Sequence, residues 1–346
     1  MPNLNENATI ERPKSRPAPS RCGAIVMSLS PTASAPWLSV VMPVYCGERW
    51  IDVALQSIAA EEADGIEVLL LDGSPTSASL DLARSYSDRL RLRLFERPDL
   101  LTWQAKTNVG VALAEAKHVC WLHHDDKWMP GRVAAIRSWL DADSEAPLHL
   151  APSVLIDKDG RELGVWRCPL PNDTTLPSTL VIERLLVQNF ISAPAPVFRK
   201  DSWLACGGLD ESLWYTADWD IWLRLAACGP VRYHDKVTTS FRVHGSSLTV
   251  TGSRDTGEFA SQMQIVLDRH LPALSGPAKG VERAGRASIN VNTALAAASA
   301  GDYSHLLPAL AKVLGLGPAG LRRYLRDSRI WDRLMPRLRA KITGAF

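Results

Sequence analysis

Between Trp37 and Ala142 the chain alternates two kinds of hydrophobic pattern, and this alternation constrains the fold more than any other feature. "LSVVMPVY" (38–45) is a continuous apolar run with a β-branched centre, which predicts a strand buried on both faces. "ERWIDVALQSIAAEEA" (48–63) then spaces its apolar residues three and four apart, which predicts an amphipathic helix. The alternation continues through "IEVLLLD" (66–72, strand), "LDLARSYSDRL" (80–90, helix) and "LRLFERPD" (92–99, strand). It ends with "WQAKTNVGVALAEA" (103–116, helix), "HVCWLHHDD" (118–126, strand and turn) and "PGRVAAIRSWLDA" (130–142, helix). Such a series implies right-handed βαβ crossovers and an α/β fold with a mostly parallel sheet flanked by helices. Ligands of these sheets bind beyond the carboxyl ends of the strands. Asp72, Asp125 and Asp126 stand at such ends and are expected on one rim.

The flanks read differently. Residues 1–36 are rich in Pro, Ser, Ala and Arg without apolar periodicity, which favours a disordered tail; Met27 is an alternative start. Residues 148–250 mix short extended pieces with helices near 178–189 and 217–228, and 251–346 read as helix with a basic amphipathic end. No run of ~18 apolar residues suggests a membrane span. Lys+Arg 39 against Asp+Glu 37 leaves a net charge of +2, too small for a general nucleic-acid binder. The six cysteines lack C-x-x-C or zinc-type spacing and mostly lie in apolar runs, so they are read as reduced, buried and cytoplasmic. The 12 tryptophans are read as core residues first and sugar or base platforms second.

Three segments carry chemistry. In "WLHHDDKWMPG" two adjacent carboxylates follow a strand and two histidines, a set able to hold Mg²⁺ or Mn²⁺. His123 and His124 are read as contacting substrate or orienting neighbours rather than as metal ligands. In "LLLDGSPTS" Asp72 precedes a Gly-Ser turn, so backbone and carboxylate can both approach a base or ribose. No G-x-G-x-x-G and no G-x-x-x-x-G-K-[ST] occurs there, which disfavours a dinucleotide fold and a P-loop enzyme. In "YTADWDIWLRLAACGP" Gly229-Pro230 stops a helix that starts near Thr216. Asp220 has Arg224 four residues on, a ready surface ion pair; Asp218, in the first turn, is the candidate general base.

These pieces, with "PAPVFRKDSWLACGGLDESL" and "FRVHGSSLT", occur in the order seen in glycosyltransferase family 2, which residues 38–250 resemble. The resemblance implies a GT-A fold, with a nucleotide-sugar half over 37–147 and an acceptor half over 148–250. It implies that sugar passes from a nucleotide-sugar donor to an acceptor hydroxyl with inversion. Pro43, Tyr45 and Glu48 would line the nucleotide pocket, Asp72 would contact uracil or ribose, and Asn108 would lie near the donor. Asp125 would hold the divalent cation, His244 would complete that site, His124 and Asp126 would add donor-side contacts, and Asp218 would be the base. The chain departs from the family where His123-His124 replaces the first carboxylate of a D-x-D-D run, where Gly73 replaces a second Asp, and where Ala217 replaces a Glu. Alternatives are a non-catalytic sugar-nucleotide-binding module and a sugar nucleotidyltransferase; the latter usually carries a Gly-rich basic loop that "PVYCGERW" lacks.

Residues 321–342 carry eight cations and two anions, a local charge of +6. Their apolar residues recur at helical spacing, with a kink expected at Pro336. A basic helix of this kind suits an anionic membrane surface and a glycan or lipid-linked acceptor in bacterial surface-polysaccharide or glycolipid assembly, with the protein peripheral on the inner membrane face; the alternative is that its apolar face packs on the catalytic domain with the arginines solvated.

Overall fold

The computed structural model describes residues 34–172, 174–274 and 278–342; of the tail expected over 1–36, residues 1–33, with Met27 and Cys22, lie outside the described residues. The predicted alternation is present: β1 (Leu38–Val44), α1 (Ile51–Ala59), β2 (Ile66–Asp72), α2 (Ala78–Arg84), β3 (Arg91–Glu96), α3 (Trp103–Leu113) and β4 (His118–Trp121). β1 and β2 are buried at every position, including Glu67 of β2, whose carboxylate accepts from Ser39 Oγ and Arg93. The short β5 (Lys127–Trp128), α4 (Arg132–Ala142), β6 (Leu148–Leu150), β7 (Ser153–Ile156), β8 (Glu162–Trp166) and β9 (Thr174–Leu176) follow. Then come α5 (Ser178–Leu185), β10 (Val197–Arg199), α6 (Lys200–Ala205), α7 (Ala217–Ala227), β11 (Val231–Tyr233), β12 (Thr239–Arg242) and α8 (Leu248–Thr251). The chain ends in α9 (Thr256–His270), α10 (Ala278–Ser299), α11 (Leu306–Leu314), α12 (Gly317–Ser328) and α13 (Ile330–Ile342).

Eight strands form the main sheet in the order β3-β2-β1-β4-β10-β6-β11-β9, parallel through its first four members and mixed beyond. A second sheet, β5-β12-β7-β8, stands beside it. The extended piece "VRYHDKVTTSFRVH" is therefore two strands in two sheets, β11 and β12, rather than one. Alternate strand residues feed two cores. Val40, Met42, Val68 and Leu70 pack with α1, α2 and α4, while Val41, Leu69, Leu71 and Trp121 face the other side. There Trp121 stacks on Trp222 with ring centroids 4.6 Å apart and meets Trp203 edge-on at 5.5 Å, so these tryptophans belong to the core.

The C-terminal helices join that same core through Phe259, Met263, Val266, Val281 and Tyr324. α12 packs on α5, where Arg323 meets Glu183 at 3.3 Å and Arg184 approaches Asp327 at 3.8 Å. α13 runs through Pro336, whose ring packs against Gly164 of β8, and Arg339 donates to the Leu163 carbonyl at 3.0 Å. The cysteine expectation needs correction among the described residues. Only Cys120 and Cys168 are buried; Cys46 and Cys228 are exposed, and Cys228 lies 3.3 Å from the Cys206 sulfur. Cys206 and Cys228 directly follow the last residues of α6 and α7.

Candidate active site

Because β1, β2 and β4 are parallel neighbours, their carboxyl ends share one rim, with Val44 of β1 opposite Asp72 of β2. The turn after β4 carries His123 to Asp126 onto this rim. The two aspartates there face opposite ways. Asp125 points its Oδ2 to His244 Nε2 at 3.1 Å. Burial alone would raise its pKa, but the His244 hydrogen bond and the charges of His124 and His123 overturn that and bring it to about 2. Asp126, expected among the donor contacts, is instead turned into the protein. It is 1 % exposed and accepts the Arg242 amide at 2.8 Å. Burial and the neighbouring Asp125 charge push it up to about 6.

Arg242 is the clamp that fixes this turn. Its guanidinium donates to the carbonyls of Asp125 at 2.7 Å and Asp157 at 2.9 Å, tying the second sheet to the rim. Nothing in the sequence marks it beyond its place in "FRVH". His244, two residues on, hydrogen-bonds Ser246 through Nδ1 and lies over Trp50 with centroids 4.3 Å apart. The late histidine and the strand-end aspartate, 119 positions apart, are thus brought together. Asp125 Oδ2 and His244 Nε2 offer one oxygen and one nitrogen donor. Among the described residues, no group of three or more His, Cys, Asp or Glu converges for a metal. The pair supplies only two donors, so a cation held there would need its remaining ligands from substrate and water.

Asp218 arrives from the first turn of α7. Its Oδ1 accepts its neighbour's amide, Trp219 N, at 2.7 Å, and its Oδ2 accepts Asn189 Nδ2 at 3.2 Å. Burial, only partly offset by these hydrogen bonds, pushes its pKa up to about 6. His123 joins the two halves of the site. Burial opposes a charged ring there, yet Asp126, Asp125 and Asp218 together raise its pKa. Asp220 corrects the expectation of a surface pair. It is fully buried, accepts Arg224 Nε at 2.8 Å, and also takes Arg269 and His270, each at 2.9 Å. Arg269 and His270 lie about fifty residues downstream, where no local spacing announces them.

On the nucleotide side, Tyr45 is 58 % exposed at the rim, whereas Pro43 is buried and lies with its carbonyl 3.5 Å from His124 Nδ1. Glu48 accepts Ser79 Oγ at 3.0 Å. Asn108 is expected near the donor, but both ends of its amide bond the Leu209 backbone, at 2.8 and 2.9 Å, clamping that loop onto α3. Lys106, which no local sequence signal marks, is buried near the Asp72 charge.

Comparison with known proteins matches the family model "Glycosyl transferase family 2" to residues 39–154. An uncharacterized glycosyltransferase of Rickettsia prowazekii (strain Madrid E) is 24 % identical over 232 residues, covering 65 % of this chain and 70 % of that protein. Among solved structures, Staphylococcus aureus TarS 1–349 in complex with UDP-GlcNAc superposes with a TM-score of 0.59 at 16 % identity, over 84 % of this chain and 79 % of that one. The mannosyltransferase PcManGT from Pyrobaculum calidifontis, in complex with GDP-Man and Mn²⁺, superposes with a TM-score of 0.53 at 15 % identity, over 92 % and 90 %.

Proposed function

We propose that this chain, whose residues 39–154 match the glycosyltransferase family 2 model and whose fold resembles that of solved glycosyltransferases, transfers a sugar with inversion from a nucleotide-sugar donor to an acceptor hydroxyl. The observation that carries the reading is the pairing of environments on one rim. Asp125 is held ionised beside His244, while Asp218 is held near neutrality in its pKa, with His123 between them. Residues 37–147 would take the donor and 148–250 the acceptor, and Pro43, Tyr45, Glu48, Asp72 and His124 would border the donor.

The chemistry follows from the protein's own groups. Asp218 Oδ2 removes the proton of the acceptor hydroxyl while Asn189 steadies the carboxylate. The oxygen so activated attacks the anomeric carbon opposite the nucleoside diphosphate, which inverts that carbon. Asp125 and His244 would hold Mg²⁺ or Mn²⁺, and a cation there supplies neutralisation of charge on the leaving diphosphate. Donors of the kind named for the two solved neighbours, UDP-GlcNAc and GDP-Man, support a nucleotide-sugar substrate. The acceptor is proposed to be a glycan or a lipid-linked sugar at a membrane surface.

The test is a turnover screen over UDP-, GDP- and dTDP-sugars before and after chelation, with the anomeric configuration of the product read by NMR. One donor should turn over, lose activity on chelation, regain it with Mn²⁺ or Mg²⁺, and give the inverted product; Asp125→Ala should abolish both turnover and the response to cation. Full activity after chelation removes the assignment of Asp125 and His244. Donor binding without turnover to any acceptor favours a binding module instead.

A further inference from the structure

α6 and α7 end alike. Cys206 caps the C-terminal end of α6 and is followed by Gly207; Cys228 caps that of α7 and is followed by Gly229. The two positions are 22 apart in sequence, yet their sulfurs lie 3.3 Å from each other, thiol against thiol. Cys228 is exposed and Cys206 half-buried. Burial and the neighbouring thiol both hold the Cys206 pKa above the ordinary thiol value. Cys228 is therefore the sulfur that a dissolved reagent meets first, and Cys206 is the one already in contact with it.

Arg224 organises the contact. Its guanidinium donates to the Cys206 carbonyl oxygen and to Asp220, and its own carbonyl oxygen accepts the Cys228 thiol at 3.4 Å. The two helix ends are thus held together before any covalent bond joins them. A disulfide needs its sulfurs about 2.05 Å apart, so closure asks for about 1.2 Å of approach. The chain has room for it. Gly207 takes a φ of +81°, and a Cβ there would meet nothing within 4 Å, so the turn after Cys206 can yield without a clash. Beyond Gly208 the loop is fixed again, by the Asn108 amide on the Leu209 backbone.

We propose that Cys206 and Cys228 are an oxidation site, which a low-molecular-weight disulfide such as oxidised glutathione converts to an intramolecular disulfide stapling α6 to α7. The Cys228 thiolate attacks one sulfur of the reagent, whose S–S bond breaks; the released half takes up a proton and leaves as a thiol. Cys206 then gives its proton to solvent and attacks Cys228 Sγ, and the second half of the reagent leaves as a thiol in its turn. Two protein thiols are oxidised and one reagent disulfide is reduced to two thiols; an excess of dithiol runs the exchange backwards. The ring so closed spans residues 206–228 and takes in all of α7, so the bond restricts the unfolded chain over this segment. The fold's resistance to melting then follows the thiol–disulfide balance around it, whether or not the protein is turning over.

The test is incubation of the full chain with oxidised glutathione, then alkylation and peptide mapping without reduction, beside a thermal melt. The linked Cys206–Cys228 peptide should be the main product, with exposed Cys46 carrying glutathione or an alkyl group instead. The oxidised protein should melt ~5 °C higher than the same sample after dithiothreitol. Cys206→Ser should stop at glutathione on Cys228, Cys228→Ser should leave Cys206 a free thiol, and neither variant should gain the ~5 °C. Glutathione that stays on Cys228 of the wild type without ring closure overturns the proposal. So does a main product joining either cysteine to Cys46 or Cys22. A linked pair whose melting temperature is unchanged or lowered overturns it too, because the bond then strains the helix ends rather than stapling them.

Discussion

Asp218 and Asp220 stand two positions apart on α7, and their surroundings drive them in opposite directions. Burial raises Asp218 to about 6, above the ordinary carboxylate value, so its ionised form burdens the folded state above that pH. The burden is relieved as pH falls through about 6 toward the ordinary value. Asp218→Asn should therefore slow transfer by ~10²–10⁴ while donor affinity holds and thermal stability rises, the signature of a group kept for chemistry. In the wild type, kcat should fall as pH drops below about 6, because the base is then protonated. A pH profile flat to pH 5, or Asp218→Asn turning over normally, would remove the assignment. Asp220 shows the reverse. Burial opposes its charge, but His270 and Arg224 outweigh burial and bring it to about 2. Its contribution is present above the ordinary carboxylate value and is lost as pH falls toward about 2. Asp220→Asn should destabilise the fold by ~3–5 kcal/mol, since it strands buried partners. Lost activity in that variant must accordingly be read beside its melting temperature. The sequence separates the two aspartates but does not show that Asp220 is buried. Arg224 is visible at helical spacing, but Arg269 and His270 come from α9 and meet Asp220 only through tertiary packing.

At the scale of elements, the first half of the fold was legible because period and burial agree. Seven consecutive buried positions in β1 and again in β2 leave little room for another reading. The second half was harder to read, because strands of three or four residues such as β6, β9 and β11 are too short to show a period. Their pairing depends on partners far along the chain, as where Arg232 meets His149. α3 carries Lys106 and Asn108, and its seat on β1 depends on Gly110. A Cβ there would stand 2.4 Å from Val41 Cγ1 and 2.8 Å from Leu71 Cδ1, both in the sheet core. Gly110→Ala should cost ~1–3 kcal/mol by overpacking despite its better helix propensity. Since α3 would shift away from the rim, donor affinity should fall as well. A variant as stable as the wild type would show that the interface yields more easily than this spacing allows.

For the whole molecule, the basic C-terminal segment is anchored to the catalytic unit rather than free. Tyr324, Asp327 and Ser328 of α12 are buried, and α13 lies on β8. Among the described residues no helix is long and apolar enough to cross a membrane. A second apolar surface, missed in the sequence reading, lies on α11: Leu307, Leu310 and Leu314 are 77 %, 52 % and 61 % exposed. Trp331 and Met335 add exposed apolar groups on α13. If the acceptor is lipid-linked, these residues are the ones to enter the interface, with exposed Arg322 of α12 available to anionic headgroups. The full chain should co-sediment with anionic vesicles and release with salt, and Leu307→Ser with Leu310→Ser and Leu314→Ser should lose most binding while the melting temperature holds. Undiminished binding would return the role to Trp331 and its neighbours; no binding by the wild type would remove the membrane partner. The aromatic packing has an optical consequence. Trp121 and Trp222, stacked at 29° in the core, are close enough for their transitions to couple, giving a circular-dichroism couplet that lasts only while the core is intact. Trp50, beneath His244 and flanked by the Arg49 and Arg242 guanidiniums, should instead change its emission when that imidazole engages a ligand. Two chromophores of one residue type thus report separately, one on folding and the other on occupancy, without any added label.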